Sequence, residues 1–367
     1  MHQAARALQG FPIFWYDWTI LSSLQNVGRT RLLRVTIREI VRYMEINRAD
    51  SQAILAVDRN RVLAEFGIAH SVALAIGSEA EVYAIDHTTV LKLYANPVRL
   101  RYFETLRDLY ASVDAQASLI RLPQILEVTC RDNLVVVLET RLAGEPFEAI
   151  LPNLSDAALV QAEALYLDTV CGLHRIPLAY QPQTYLLFDD SRQSAVATQS
   201  FEAFYATLLE KKVASVSSIF NTLDPQFASR AAALVAAIRT ALPAAVSLVH
   251  GDFFPGNLLM NSAADRVTGL IDFGSFTLFG NYLLDVAGAF SFYRMYHPNR
   301  RAIRASLLPQ VLDRISQAAA PTFFQFVLAN AILTSDLYLT DGNHLADGHF
   351  GWAAEIVAQD TYWQAAL

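Results

Sequence analysis

Residues 250–257 read His-Gly-Asp-Phe-Phe-Pro-Gly-Asn, and no other stretch restricts the fold of this chain so tightly. The apolar runs on either side, Ser247-Leu248-Val249 and Leu258-Leu259-Met260, both read as short strands. A turn between two strands uses Pro255 and Gly256 for its backbone, but it has no need of His250, Asp252 and Asn257. Fifteen positions after Asn257 stands Asp272, within Ile271-Asp272-Phe273-Gly274. The residues between them spell a strand at Leu258–Asn261, a turn at Ser262–Asp265 and a strand at Val267–Ile271. Such a hairpin brings Asn257 and Asp272 together at its open end. An amide carbonyl and a carboxylate suit a hard cation such as Mg²⁺, and Asp252 lies across the turn from them. One carboxylate on metal and another able to take a proton is what phosphoryl transfer to a hydroxyl requires.

The chain before this stretch divides in two. In residues 1–70, Arg29, Arg31, Arg34, Arg38, Arg42 and Arg48 are interleaved with apolar residues, which suits amphipathic helices. This segment is expected to be a helical N-terminal extension. From residue 71 the pattern becomes strand-like: Val72–Ile76, Glu81–Ile85 and Val90–Tyr94, then a helical stretch over 97–112, then strands at Ile125–Thr129 and Leu134–Thr140. Lys92 lies mid-strand, flanked by apolar residues, and is the only Lys before residue 211. Gly77-Ser78 begins the turn between the first two strands, where backbone N–H groups can reach phosphate oxygens. Gly144-Glu145-Pro146 reads as a linker. Beyond it, helices are expected at 155–174, 200–212, 225–242, 282–296, 300–318, 321–339 and 351–364.

This ordered series resembles the aminoglycoside phosphotransferase and choline kinase family, a branch of the protein-kinase-like fold. The resemblance covers roughly residues 71–340. It implies an α+β bilobal architecture: a small β-rich N-lobe over 71–143 with one pairing helix, and a larger, mostly helical C-lobe over 144–367. It also implies roles. Asp252 is the catalytic aspartate, and Asn257 and Asp272 hold the metal. Lys92 holds nucleotide phosphates and is paired by Glu104 on the helix, with Gly77 and Ser78 in the covering turn. The hinge around Leu138-Glu139-Thr140-Arg141 carries the adenine-binding backbone, so Glu139 and Arg141 belong to the nucleotide site. His250 and Asp285 support the catalytic loop. Protein kinases of this fold usually spell the loop His-Arg-Asp; here Gly251 takes the Arg position. Asp285 follows Asp272 so closely that there is little room for a peptide-docking segment. Small-molecule kinases have none.

The expected activity is therefore transfer of the γ-phosphoryl group of ATP, with Mg²⁺, to a hydroxyl of an aminoglycoside-, amino-alcohol- or sugar-like acceptor. The sequence does not separate ATP from GTP. The rival from another class is a nucleotide-binding pseudokinase that docks a partner through residues 1–70, and the intact Lys92, Asp252, Asn257 and Asp272 set argues against it. The net charge of −7 resides in residues 141–367, with 13 basic against 20 acidic residues. Nucleic acid is not an expected partner for such a surface. After Arg314 there is no Lys or Arg, but five acids, which makes Asp336, Asp341 and Glu355 candidates to receive a cationic acceptor. Two cysteines are too few for a disulfide framework, and no apolar run reaches 18 residues. A cytoplasmic enzyme is the expectation.

Overall fold

The computed structural model describes residues 58–69, 71–76, 80–95, 100–113, 120–131, 134–176, 186–188, 194–196, 200–241, 245–273, 279–336 and 348–367. Gly77, Ser78, Asp341 and the N-terminal extension up to residue 57 lie outside them.

The N-lobe is one five-stranded antiparallel sheet. Its strands are β1 (Ala75–Ile76), β2 (Ala80–Ala84), β3 (Thr89–Tyr94), β4 (Ile125–Arg131) and β5 (Leu134–Thr140), in the order β1-β2-β3-β5-β4. Alternation along the two central strands builds two faces. Leu91, Leu93, Leu134 and Val136 point outward, joined by Tyr83. A helix over 58–65, α1, and the residues after it cover that face with Val62, Leu63 and Ile68. The described part of the N-terminal segment is thus a layer of the N-lobe. Val135 and Val137 point the other way, into the core shared with Tyr102, Phe103, Leu106 and Tyr110 of α2 (Leu100–Ser112). Lys92 lies on this inner face.

The connector between the lobes is tied to the catalytic hairpin. Strand β6 (Glu145–Pro146) pairs with β10 (Leu258–Met260), which in turn pairs with β11 (Val267–Leu270). Gly144 makes that close approach with φ at +122°; a Cβ there would sit 2.2 Å from Thr268 Oγ1 and 2.8 Å from the Met260 carbonyl oxygen. The short helix α3 (Phe147–Ile150) then donates the Glu148 N–H to the carbonyl of Pro255, in the Pro-Gly turn.

The other elements of the described residues are helices, apart from a small hairpin of β7 (Leu186–Phe188) and β8 (Ser194–Val196) and the pair β9 (Ser247–Leu248) and β12 (Phe279–Gly280). Helices α4 (Asp156–Gly172) and α5 (Phe201–Leu223) start at Ser155 and Ser200, whose hydroxyls accept the N–H three residues on. α6 (Phe227–Thr240) packs against α5. α7 (Leu283–Ser291) is buried along its whole length, and α9 (Ala320–Thr334) from Phe323 to Leu333. Such all-round burial needs neighbours on every side, and α9 receives them from α5, α7, α10 (Gly348–Val357) and α11 (Asp360–Ala366), with α8 (Arg300–Leu312) lying against α7.

Several helix boundaries depart from the periodicity: the helices predicted over 300–318 and 321–339 end at Leu312 and Thr334, and three further departures have a visible cause. α5 extends well past 212, because Val216 and Phe220 continue its buried stripe beyond the polar Lys211-Lys212. The predicted helix over 282–296 stops at Ser291, whose carbonyl accepts the Trp352 indole N–H at 2.9 Å. The predicted helix over 351–364 divides at Ala358-Gln359, where the Val357 carbonyl accepts the Trp363 indole N–H at 2.7 Å. In both cases a distant or bent-back indole satisfies a terminal carbonyl.

The packing of α1 on the sheet has a measurable consequence. Leu63 is 3% exposed between helix and sheet, whereas Leu126 on edge strand β4 is 56% exposed. Leu63→Ala is expected to lower the unfolding free energy by about 2–5 kcal/mol in a urea titration. Leu126→Ala is expected to stay within about 0.5 kcal/mol of wild type.

Candidate active site

The site lies where the N-lobe sheet meets the hairpin of the C-lobe. In β3, Leu91 and Leu93 take the outer face, so Lys92 must take the inner one. Its ammonium lies 2.6 Å from Asp272 Oδ1 and 3.0 Å from Glu139 Oε1. The strand register explains the second contact. Lys92 stands opposite Val137 on β5. Glu139 is two residues on, so it shares that face and sits diagonally from Lys92. Burial works against the Lys92 charge, but Glu139 and then Asp272 outweigh it and hold the ammonium protonated. Burial raises the Glu139 carboxyl, with Lys92 opposing.

The catalytic loop is held by buried polar groups. Asp285 on α7 accepts the backbone N–H of His250 and of Gly251, both at 2.7 Å. Presenting two successive amides to one carboxylate requires φ of +80° at residue 251, a conformation that glycine adopts without a Cβ penalty. Burial pushes the Asp285 carboxyl up to about 7, against the pull of those two hydrogen bonds. His250 is fully buried. Its Nδ1 accepts the Asp252 N–H at 3.2 Å, so Nε2 carries the proton and donates to the Ile271 carbonyl at 2.8 Å. The ring is thereby fixed as one neutral tautomer, and burial lowers its pKa to about 4. His250 thus joins the catalytic loop to the segment carrying Asp272.

Asn257, itself buried, donates through Nδ2 to the Asp252 carbonyl at 2.9 Å and to Asp252 Oδ2 at 3.3 Å. Because the nitrogen is used on Asp252, the carbonyl Oδ1 remains an acceptor. The ladder pairs Leu258 with Leu270, and the Ile271 N–H then donates to the Asn257 carbonyl at 3.0 Å. Asn257 and Asp272 therefore share one end of the hairpin. Asp272 has φ of +60°, a left-handed conformation that a carboxylate residue adopts only under constraint from its surroundings. Its carboxyl is pulled up by partial burial, but the charge and hydrogen bond of Lys92 hold it below the usual range. Among the described residues no three His, Cys, Asp or Glu side chains form a metal cluster. The donor set is one ionised Asp and one Asn carbonyl. Two hard oxygens of that kind fit Mg²⁺, which keeps most of its shell for water and phosphate.

Phe273 anchors the other side of the same segment. Its carbonyl accepts the Tyr102 hydroxyl of α2 at 2.7 Å, and its ring lies 5.5 Å from Tyr110 and 4.4 Å from His250.

Several expected placements change. Glu104 is exposed, and the described ion pairs of Lys92 are with Glu139 and Asp272 instead. The inward face of α2 is taken by Tyr102, Phe103, Leu106 and Tyr110. Glu139 is thus a side-chain partner of Lys92, which its position in the hinge sequence did not suggest. The Thr140 N–H donates to Gln124 and the Arg141 N–H to Thr88, because β5 runs to the end of the supposed hinge. Arg141 is exposed and reaches the Asp86 carbonyl in the β2–β3 turn. Neither amide is left for a nucleotide base.

The expected cationic-acceptor acids are also engaged elsewhere. Asp336 lies 2.5 Å from Lys212 of α5. Glu355 pairs with Arg300, with Arg301 at 3.3 Å and with the buried Arg304 at 3.2 Å, all of α8. The chain after Arg314 lacks cations of its own, but earlier helices supply them. Asp341 lies outside the described residues.

Two lobes joined through a buried lysine and a strained aspartate, beside a loop that presents a second aspartate, define a small-molecule kinase. Residues 71–320 match the phosphotransferase enzyme family, and the chain belongs to that family. No curated protein matches its sequence. The fold is similar to those of solved aminoglycoside phosphotransferases, three of which serve as examples. The GDP complex of wild-type aminoglycoside 2'-phosphotransferase-IIIa has a TM-score of 0.56 at 15% identity, over 82% of this chain and 97% of that one. The gentamicin complex of APH(2")-IIa has a TM-score of 0.51 at 16% identity, over 83% and 96%. The aminoglycoside phosphotransferase APH(3'')-Id of Streptomyces rimosus, with ADP and streptomycin, has 0.51 at 18%, over 77% and 98%. At these identities the likeness speaks for the fold.

The buried neutral His250 makes stability depend on pH. Its folded pKa is below its unfolded one, so the unfolded chain binds the extra proton. The stabilisation is present above about pH 6.5 and is lost as pH falls through about 4, a change of about 3 kcal/mol. Asp285, with its raised pKa, acts with the opposite sign between about 4 and 7. The effect is therefore read as a difference: the gap in unfolding free energy between wild type and His250→Gln should widen as pH rises from 4 to 6.5. A gap that does not change with pH would place His250 in another protonation state.

Proposed function

We propose that this enzyme transfers the γ-phosphoryl group of ATP or GTP to a hydroxyl of a small molecule, with Asp252 as the base. The observation that supports this most directly is the convergence of Lys92, Asp272, Asn257 and Asp252 from four separate positions in the chain. Lys92 is a buried, protonated cation at the lobe junction and would receive the α- and β-phosphate oxygens. Asp272 and Asn257 would hold Mg²⁺, which when bound neutralises charge on the phosphates. Asp252 is oriented from both sides, by its own N–H on His250 and by Asn257 on its carboxylate. It would align the acceptor hydroxyl and take its proton as the oxygen attacks phosphorus and the bond to the nucleoside diphosphate breaks. Little covalent chemistry falls to the protein, so positioning of this kind supplies most of the catalysis.

The acceptor class supported by the similar folds is a polyhydroxylated amine or sugar. Gentamicin and streptomycin accompany two of the similar structures, and the bound nucleotides there include both ADP and GDP. Asp336 and Glu355 have no part in receiving the acceptor, because helix cations balance their charges.

The experiment is ADP or GDP release from purified protein with Mg²⁺, either nucleotide, and a panel of aminoglycosides, amino-alcohols and sugars. Turnover with at least one member is expected. Asp252→Asn should retain the melting temperature and nucleotide binding but lose about 10²–10⁴-fold in kcat. A variant within a few-fold of wild type would remove Asp252 from the role of base.

A further inference from the structure

We infer that Glu139 of β5, and not a carboxylate of helix α2, is the residue that positions Lys92 for the nucleotide phosphates. The inference rests on the reading of this site as a nucleotide site.

Lys92 is 6% exposed and Glu139 is 4% exposed, so the pair is enclosed by protein. A buried ammonium needs a partner, because its uncompensated charge is costly away from water. Among the described residues, two carboxylates reach it. Asp272 is the closer, but its side chain remains 47% exposed and it belongs to a loop. It is also the carboxylate required for the metal. Once it turns to a cation, Lys92 retains Glu139 alone. Glu139 has no such second duty. It is held in the ladder one residue from the end of β5, opposite Val90 on one side and Ile125 on the other. Among the described residues, Tyr94 on β3 and Tyr110 on α2 also act on the ammonium, and burial raises both hydroxyls, so they stay neutral. Glu104, the one acid in the sequence of α2 besides Asp108, is exposed, and so is Asp108.

Two consequences follow for how the site works. The lysine and its partner are fixed within one sheet, on adjacent paired strands, so their spacing does not depend on where α2 sits. Helix α2 serves the site by another route: the Tyr102 hydroxyl holds the Phe273 carbonyl and thereby the strained backbone next to Asp272. The sheet thus sets the phosphate-binding cation while the helix sets the neighbouring metal-binding segment.

The test is calorimetric binding of MgATP and MgGTP to the full chain and to Glu139→Gln, Glu104→Gln, Lys92→Met and the Lys92→Met/Glu139→Gln double variant. Glu139→Gln is expected to weaken nucleotide binding by roughly 10–100-fold, the equivalent of one charge-assisted hydrogen bond. Glu104→Gln should bind within two-fold of wild type. In the Lys92→Met background the Glu139→Gln change should have no further effect, because its partner is gone. Glu139→Asp keeps the charge and should recover part of the lost affinity, which a merely structural defect would not show. Should Glu139→Gln fail to fold, Glu139→Asp replaces it, with an intermediate loss that vanishes in the Lys92→Met background. Wild-type binding by Glu139→Gln, an equal loss with and without Lys92, or a loss caused by Glu104→Gln would each overturn the inference. If the wild-type chain binds neither nucleotide, the proposed function itself falls, and this inference with it.

Discussion

The ion pair between Lys92 and Asp272 joins residues 180 positions apart, and the geometry of the site depends on it. It is a contact between the inner face of one sheet and the end of a hairpin in the other lobe. Neither residue is placed there by local preference alone. Lys92 arrives because its neighbours Leu91 and Leu93 are needed beneath α1. Asp272 arrives with a left-handed backbone, a conformation costing of order 1–3 kcal/mol that persists only where surrounding contacts over-determine it. Those contacts are visible: His250 holds Ile271, and Tyr102 holds Phe273.

A second set of buried polar groups fixes the loop that carries Asp252. Asp285, His250 and Asn257 are all buried, and their hydrogen bonds run to backbone atoms of the loop and of the segment opposite. Buried networks of this type rigidify when every member is satisfied. The result is a residue 252 whose backbone is tied through His250 to the segment that carries Asp272. Preorganisation of that kind is what a phosphotransferase needs, since its catalysis comes from positioning.

Much of the fold was legible in the sequence. The five N-lobe strands follow from alternation and turn residues, and the bilobal plan from the change to helical spacing after residue 144. Legibility failed where a partner from elsewhere in the chain decided the outcome. Helices α7 and α10 end where Trp352 and Trp363 supply an N–H. The C-terminal acids looked unbalanced because their partners, Lys212 and the α8 arginines, lie at earlier positions. Glu104 was the partner of Lys92 that the family resemblance implied, but it lies on the exposed side of its helix, whereas Glu139 was hidden as a lone acid at the end of an apolar run.

By itself the sequence determined the order of chemical groups: a lysine in a strand, His-Gly-Asp, an asparagine and an aspartate joined by a short hairpin. These are local patterns, set by alternation, turn chemistry and spacing, and they suffice to name the class of chemistry. Only the tertiary structure decided which carboxylate faces Lys92, which tautomer His250 holds and which surface acids are already paired. Those outcomes depend on strand register and on which face of a helix is buried, and a pairing between distant segments is a property of packing that no single segment encodes.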